Sequence, residues 1–79
     1  MLMKYITTAM HKAHYEFLED DKKYYGEIPG CKGVYATGDT LEDCRDALEE
    51  VLEEWILFRI SRNLDVPAIK GIKLEVKEV

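Results

Sequence analysis

The sequence predicts a small α+β domain whose elements follow the order α-β-β-β-α-β. Apolar residues recur at helical spacing over residues 2–12, which indicates a short amphipathic helix. Residues 41–62 contain neither glycine nor proline and keep a helical period, which indicates a second, longer helix. Strands are predicted where short runs rich in aromatic and β-branched residues are bounded by turn residues. These runs are residues 14–20, 24–29, 34–37 and 72–79.

The first half of the chain predicts a helix followed by an antiparallel meander. The helix is short, so its stability depends on packing against the rest of the domain. The next two strands form a hairpin whose turn is "DDKK". Pro29 ends the second strand because it has no amide hydrogen to donate. Gly30 and Gly33 then allow the backbone to reverse before the third strand begins.

The long helix carries both a start signal and a stop signal. Thr40 can accept a hydrogen bond from the amide of Asp43, and acids in the first turn suit the helix dipole. Arg59 lies in the last turn, where cations are stabilised. Asn63 can take the left-handed conformation that ends a helix, and Pro67 prevents the helix from resuming.

The last predicted strand completes the sheet. Ile72, Leu74 and Val76 alternate with charged residues, which is typical of a strand with one buried face. A strand, helix and strand in succession form a right-handed crossover, so this strand should run parallel to its neighbour. We expect a four-stranded mixed sheet with both helices on one face and the other face uncovered.

The composition limits the classes of function. At 79 residues the chain should be one domain, residues 1–79, whose core alone supplies only about 3–5 kcal/mol. Sixteen acids against 11 bases argue against direct binding to nucleic acid and favour a basic protein partner, although plain solubility is the alternative. No secretory leader and no apolar run long enough to cross a bilayer is found, so we expect a cytoplasmic protein that does not engage membranes.

No pattern in the sequence indicates a catalytic, metal or cofactor site. Cys44 has core spacing and should be a buried thiol, and Cys31 lies in a loop; we expect both to be reduced. His11 and His14 are three residues apart but have no companion ligands. The glycines match neither a phosphate-binding loop nor a dinucleotide fingerprint. We therefore predict that the protein is not an enzyme and that it has no cofactor.

The long helix has two chemically different faces. One arc is the predicted core stripe: Leu41, Cys44, Leu48, Val51, Leu52, Trp55 and Phe58. The opposite arc is acidic: Glu42, Asp43, Asp46, Glu49, Glu50, Glu53 and Glu54. Like charges four residues apart each weaken the helix slightly, which suggests a functional role, although a plain solvated face is the commoner outcome. We predict that Glu42, Asp46, Glu49 and Glu53 bind the basic partner.

The second half of the helix is apolar nearly all round. Leu57 and Ile60 fall on the arc that carries acids upstream, and Ile56 falls on its border. These three residues are the predicted contact of a homodimer or higher oligomer. Burial by the return segment 64–69 or by the first helix is the alternative.

Two adjacent tyrosines supply a further candidate contact. Alternation along a strand sends Tyr24 and Tyr25 to opposite faces, so one of them should lie on the uncovered face of the sheet. Exposed tyrosines are favoured at protein interfaces, although a tyrosine on a half-exposed sheet is also ordinary. Both residues are therefore candidates for partner binding.

The run "YYGEIPGCKGVYATGDTLEDCRDALEEVLEEWI" (residues 24–56) resembles the HicB-like antitoxin domain. The shared features are a strand ending in Ile-Pro, a Gly-Cys pair, a short strand, "GDTLEDC" and a long acidic helix. The resemblance extends over a core of residues 14–79. The helix at 2–12 is less typical of the family and resembles a subgroup of short stand-alone proteins. It implies a partial ribonuclease-H-like fold with oligomerisation.

The resemblance also implies a function. HicB-like antitoxins neutralise HicA, a small basic toxin that cleaves messenger RNA, and an acidic chain fits that partner. Many members carry a C-terminal DNA-binding domain, and none is expected here because the sequence stops at Val79.

Two alternative functions stay open. One is an orphan structural or regulatory dimer without a toxin partner. The other is a metal-dependent nuclease that gathers Glu16, Glu75 and an acid early in the long helix. The nuclease alternative is disfavoured because the sequence offers no basic groove for its substrate.

Overall fold

A computed structural model describes residues 2–67 and places five elements there in the predicted order. They are α1 (Leu2–His11), β1 (His14–Leu18), β2 (Lys23–Glu27), β3 (Tyr35–Gly38) and α2 (Leu41–Ser61). The two predicted helices and the three antiparallel strands are confirmed. The predicted fourth strand, residues 72–79, lies outside the described residues.

The three strands form an antiparallel sheet in the order β1-β2-β3. In this register Glu16 lies opposite Tyr25, and Tyr25 in turn lies opposite Thr37. Gly26, the next residue along β2, pairs with Tyr15 on one side and Ala36 on the other. Because side chains alternate along a strand, the register fixes which residues share a face of the sheet.

The ends of α2 follow the signals read from the sequence. The Thr40 hydroxyl oxygen accepts a hydrogen bond from the Asp43 amide at 3.0 Å, which satisfies one of the free amides of the first turn. At the other end Asn63 has a φ of 56°, the left-handed conformation predicted for the helix stop.

Two glycines let α2 lie directly on the sheet. A Cβ built at Gly38 would lie 2.8 Å from the Cα of Cys44, inside the backbone of the first turn of α2. A Cβ at Gly26 would lie 2.9 Å from the ring of Tyr15 and 3.2 Å from the Cys44 sulfur. The glycine of "GDT" is therefore required by the close backbone contact between the end of β3 and the first turn of α2, and not by a left-handed backbone conformation.

The core differs from the predicted stripe of α2. Its buried residues are Cys44, Leu48, Leu52 and Ile56, spaced four apart. Leu41 and Phe58 were predicted in the core but are 48% and 51% exposed, whereas Ile56, predicted at the border, is 1% exposed. The buried arc of α2 is shifted toward α1 relative to the predicted one. The reason is that α1 packs beside α2 and buries the side of α2 that faces it.

A buried tyrosine joins α1 to the segment that follows α2. Tyr5 is fully buried, and its hydroxyl donates a hydrogen bond to the carbonyl oxygen of Pro67. Val66, next to it, is also buried in the core. Burial raises the pKa of Tyr5 well above its ordinary value, and the nearby Cys31 adds to this shift. Both α1 and the start of the return segment therefore contribute to the core.

We expect Gly38→Ala to lower the free energy of unfolding by about 3 kcal/mol, because the methyl group would push the first turn of α2 off β3. Gly30→Ala is a matched control: its φ is 89° but nothing lies within 4 Å of an added Cβ. It should cost only about 1 kcal/mol, the strain of a left-handed alanine. Urea unfolding followed by circular dichroism measures both. Equal losses for the two variants would contradict the proposed helix-to-sheet contact.

We expect the protein to lose stability as the pH rises above about 9. Burial raises the pKa values of Tyr5, Cys31 and Cys44 in the folded state. The unfolded chain therefore releases these protons at lower pH than the folded chain, so alkaline conditions favour unfolding. Urea midpoints measured between about pH 8 and pH 11 should fall, and above about pH 10 they should fall less in Tyr5→Phe, which has one titrating group fewer.

Candidate partner-binding surfaces

One face of the sheet carries polar and aromatic side chains, and neither described helix packs on it. We call this the open face, and by the strand register its residues are His14, Glu16, Leu18, Lys23, Tyr25, Glu27, Tyr35 and Thr37. The opposite face holds Gly26, Ala36 and Gly38, against which α2 lies. Side chains alternate between the two faces of a strand, and Gly26 and Gly38 face α2. The residues next to them in sequence therefore lie on the open face.

The structure separates the two candidate tyrosines. Tyr25 lies on the open face, while Tyr24 lies on the helix side of the sheet, where its ring meets that of Phe17 edge-on at 5.1 Å. Tyr25 stacks on Tyr35 with ring centroids 6.2 Å apart and planes inclined by 27°. Sequence reasoning missed Tyr35 as a partner for Tyr25, because only the pairing of β2 with β3 brings the two rings together.

Two carboxylates flank the tyrosine pair. Glu16 lies directly across from Tyr25, and Glu27 lies directly across from Tyr35. Partial desolvation raises the pKa of Tyr25, and the neighbouring Glu27, Tyr35 and Glu16 raise it further. A depression of about 250 Å³ adjoins the pair and is lined by both rings, Glu27 and the turn 28–34. A second, of about 210 Å³, adjoins Glu16 and His14.

The predicted acidic residues form a second surface on α2, which we call the acidic stripe. It consists of Glu42, Asp46, Glu49 and Glu53, of which Glu49 is half-buried and the others are exposed. Positions 42, 46, 49 and 53 fall on one side of a helix with 3.6 residues per turn. The sheet lies between α2 and Tyr25, so the acidic stripe and the open face are distinct surfaces rather than one.

An apolar groove runs between α1 and α2. It has a volume of about 180 Å³ and is lined by Met3, Ile6, Glu53, Ile56 and Leu57. Leu57 is 60% exposed and Ile60 is half-buried. Ile56 lies beneath the groove in the core and leaves almost no surface for a partner. Glu53 belongs to both the groove and the acidic stripe, so the two surfaces adjoin.

The remaining chemical groups form no recognisable centre among residues 2–67. No three of the described His, Cys, Asp and Glu side chains are grouped as metal ligands. His11 and His14 are both exposed and border a surface depression. Cys31 and Cys44 are free and buried, and burial raises the pKa of both thiols. Neither described helix is long and apolar enough to cross a membrane.

Comparison with known proteins identifies the class. The UPF0150-like family model matches residues 4–67, and the chain belongs to this family, which is of the HicB-like, antitoxin type. The likeness read from residues 24–56 is therefore confirmed for the family.

One solved structure is a near relative. The crystal structure of TTHA0281 from Thermus thermophilus is 40% identical in sequence and superposes with a TM-score of 0.92. The alignment covers 98% of this chain and 95% of that chain, so the similarity spans the whole domain. No protein with a curated description matches this sequence.

We predict that the chain assembles through the apolar groove. Leu57→Glu should shift a dimer or higher oligomer toward monomer, because a charge placed on this exposed surface opposes burial against another copy. The fold should survive, since Leu57 is not part of the core. Light scattering measures the assembly, and Phe58→Glu is the control, because Phe58 is 51% exposed but does not line the groove. A parent protein that is monomeric at tens of micromolar would refute the prediction.

Proposed function

We propose that this protein is an antitoxin that binds and neutralises a small, basic, HicA-like toxin that cleaves messenger RNA. Membership of a HicB-like family supports the proposal most directly. The net charge of −5 and the acidic stripe on α2 supply the charge expected of a protein whose partner is basic. Localisation in the cytoplasm, where messenger RNA is cleaved, belongs to the same proposal.

The acidic stripe suits the first encounter with a basic partner. Three of its four carboxylates are exposed, so they contribute to the field outside the protein rather than to internal ion pairs. The only ion pair between described side chains, from Lys23 to Asp39 at 3.3 Å, lies away from the stripe. Exposed charges of this kind mainly raise the rate of association, and salt screens them beyond about 8–10 Å.

We propose no catalytic step for the protein. A nuclease of ribonuclease-H type would need Glu16 and an acid early in α2 to meet at shared metal ions. In the structure Glu16 lies on the open face, whereas the first turn of α2 lies against Gly38 on the other side of the sheet. Glu75, the third residue of that hypothesis, lies outside the described residues.

The apolar groove supports an alternative function, an orphan structural or regulatory dimer without a toxin. An exposed leucine beside a groove is typical of an interface between chains and does not require a toxin. The two functions differ in what the acidic stripe does. The antitoxin needs it for association, and the orphan dimer does not.

We expect Glu42→Lys with Asp46→Lys to slow association with a purified HicA-like toxin by about tenfold at low salt, since electrostatic steering accounts for one or more powers of ten in rate. Glu50→Lys with Glu54→Lys is the matched control, with the same change of charge and the same spacing on the same helix but outside the acidic stripe. It should slow association much less. Stopped-flow fluorescence measures the rates, and circular dichroism checks that both variants fold.

The toxin for this experiment is to be sought as a small basic protein encoded beside the gene. It is co-expressed with the chain to test whether the chain restores growth. Absence of binding at low salt would contradict the antitoxin function. Equal slowing by both double variants would show that total charge, rather than the acidic stripe, drives association.

A further inference from the structure

The open face places two aromatic rings and two carboxylates in adjoining positions. Directly opposed residues of an antiparallel pair have Cβ atoms about 4.5–5.5 Å apart, so Glu16 adjoins Tyr25 and Glu27 adjoins Tyr35. Tyr25 and Glu27 are two residues apart on β2, or about 7 Å. A planar group lying over the Tyr25 ring would therefore have a carboxylate within reach on two sides.

We propose that Tyr25 and Tyr35, with Glu16 and Glu27, form a receptor for an arginine side chain of the basic partner. The guanidinium would stack on the Tyr25 ring beside Tyr35 and donate hydrogen bonds to Glu16 and Glu27. The inference rests on the proposed function only in taking the partner to be a basic protein. It assigns to the open face a role in holding the partner, distinct from the steering role of the acidic stripe.

Arginine fits this arrangement better than lysine does. A guanidinium is planar, so it can stack on an aromatic face and still present N–H groups at its edge to carboxylates. An ammonium group is a strongly hydrated point charge that cannot satisfy both requirements at once. A nucleic acid is disfavoured as the occupant, because its phosphates would meet Glu16 and Glu27.

The basic groups around the receptor leave it acidic. Lys23 lies on the same face but pairs with Asp39 at 3.3 Å. Lys32 lies in the turn rather than on the strands and lines the same depression as Tyr25 and Tyr35. His14 lies opposite Glu27, on the strand edge away from Tyr35. Glu16 and Glu27 therefore lie beside the tyrosine pair, and the lysine on the same face, Lys23, already forms an ion pair with Asp39.

Titration of the whole protein with two synthetic peptides tests the receptor. One is acetyl-Gly-Arg-Gly-Arg-Gly-amide, and the other has lysine in place of arginine. The arginine peptide should shift the ring NMR signals of Tyr25 and Tyr35 and should bind about threefold more tightly than the lysine peptide. No shift of these rings at millimolar peptide, or equal affinity for both peptides, would overturn the proposal.

Variants of the receptor sharpen the test. Tyr35→Leu should weaken binding of the arginine peptide by about threefold, and Tyr35→Phe should restore it, because phenylalanine keeps the aromatic face. Glu16→Gln with Glu27→Gln should weaken it by about tenfold. Glu50→Gln with Glu54→Gln removes the same charge from α2 and is the matched control. Equal weakening by the two glutamine pairs would show that net charge alone attracts the peptide, and the proposal would be wrong.

The same variants separate this inference from the proposed function. If a HicA-like toxin binds the parent protein and the Tyr35→Leu and Glu16→Gln/Glu27→Gln variants equally well, the receptor is wrong and the antitoxin function stands. If the peptide binds at the tyrosine pair but no toxin is bound, the antitoxin function is wrong and the receptor stands. Faster dissociation of the toxin from these variants, with an unchanged association rate, supports both.

Discussion

The contact between the first turn of α2 and β3 decides the arrangement of the rest of the domain. The backbone of Cys44 approaches Gly38 so closely that no side chain fits between them. Gly26, one strand further on, leaves room for two side chains, the ring of Tyr15 and the sulfur of Cys44. Because alternation along the strands is strict, this contact also decides which residues are covered and which form the open face. Two positions without side chains therefore determine which residues a partner can reach.

The packing divides the surface into three areas with different chemistry. The acidic stripe provides charge, the groove beside α1 provides apolar area, and the open face provides stacked tyrosines between carboxylates. A small domain gains little stability from any of these features. Like charges along α2 oppose the helix, and an exposed Leu57 contributes nothing to the core. These features therefore fit the proposed role of binding other proteins.

Family membership and the arrangement of the surface side chains are independent observations about this chain. The family model covers residues 4–67, almost all of the described chain, and the relative from Thermus thermophilus superposes over nearly the whole of both chains. Those similarities define the fold and the class. The side chains of this particular chain carry the proposed chemistry of binding, in which a basic partner is drawn to α2 and a planar cation lies on Tyr25.

The sequence by itself determined the elements, because their signals are local. Thr40 and Asp43 set the start of α2, and Asn63 set its end. Gly30 and Gly33, which follow Pro29, set the turn before β3. Tertiary structure decided which sides of these elements are covered. Periodicity placed Phe58 in the core and Ile56 at its border. In the structure Ile56 is buried and Phe58 is half-exposed, because α1 packs against the side of α2 that carries Ile56. In the same way, the strand register places Tyr35 beside Tyr25 and Tyr24 on the opposite face of the sheet. A local sequence pattern cannot show this, because it does not say which residues of different strands lie next to each other.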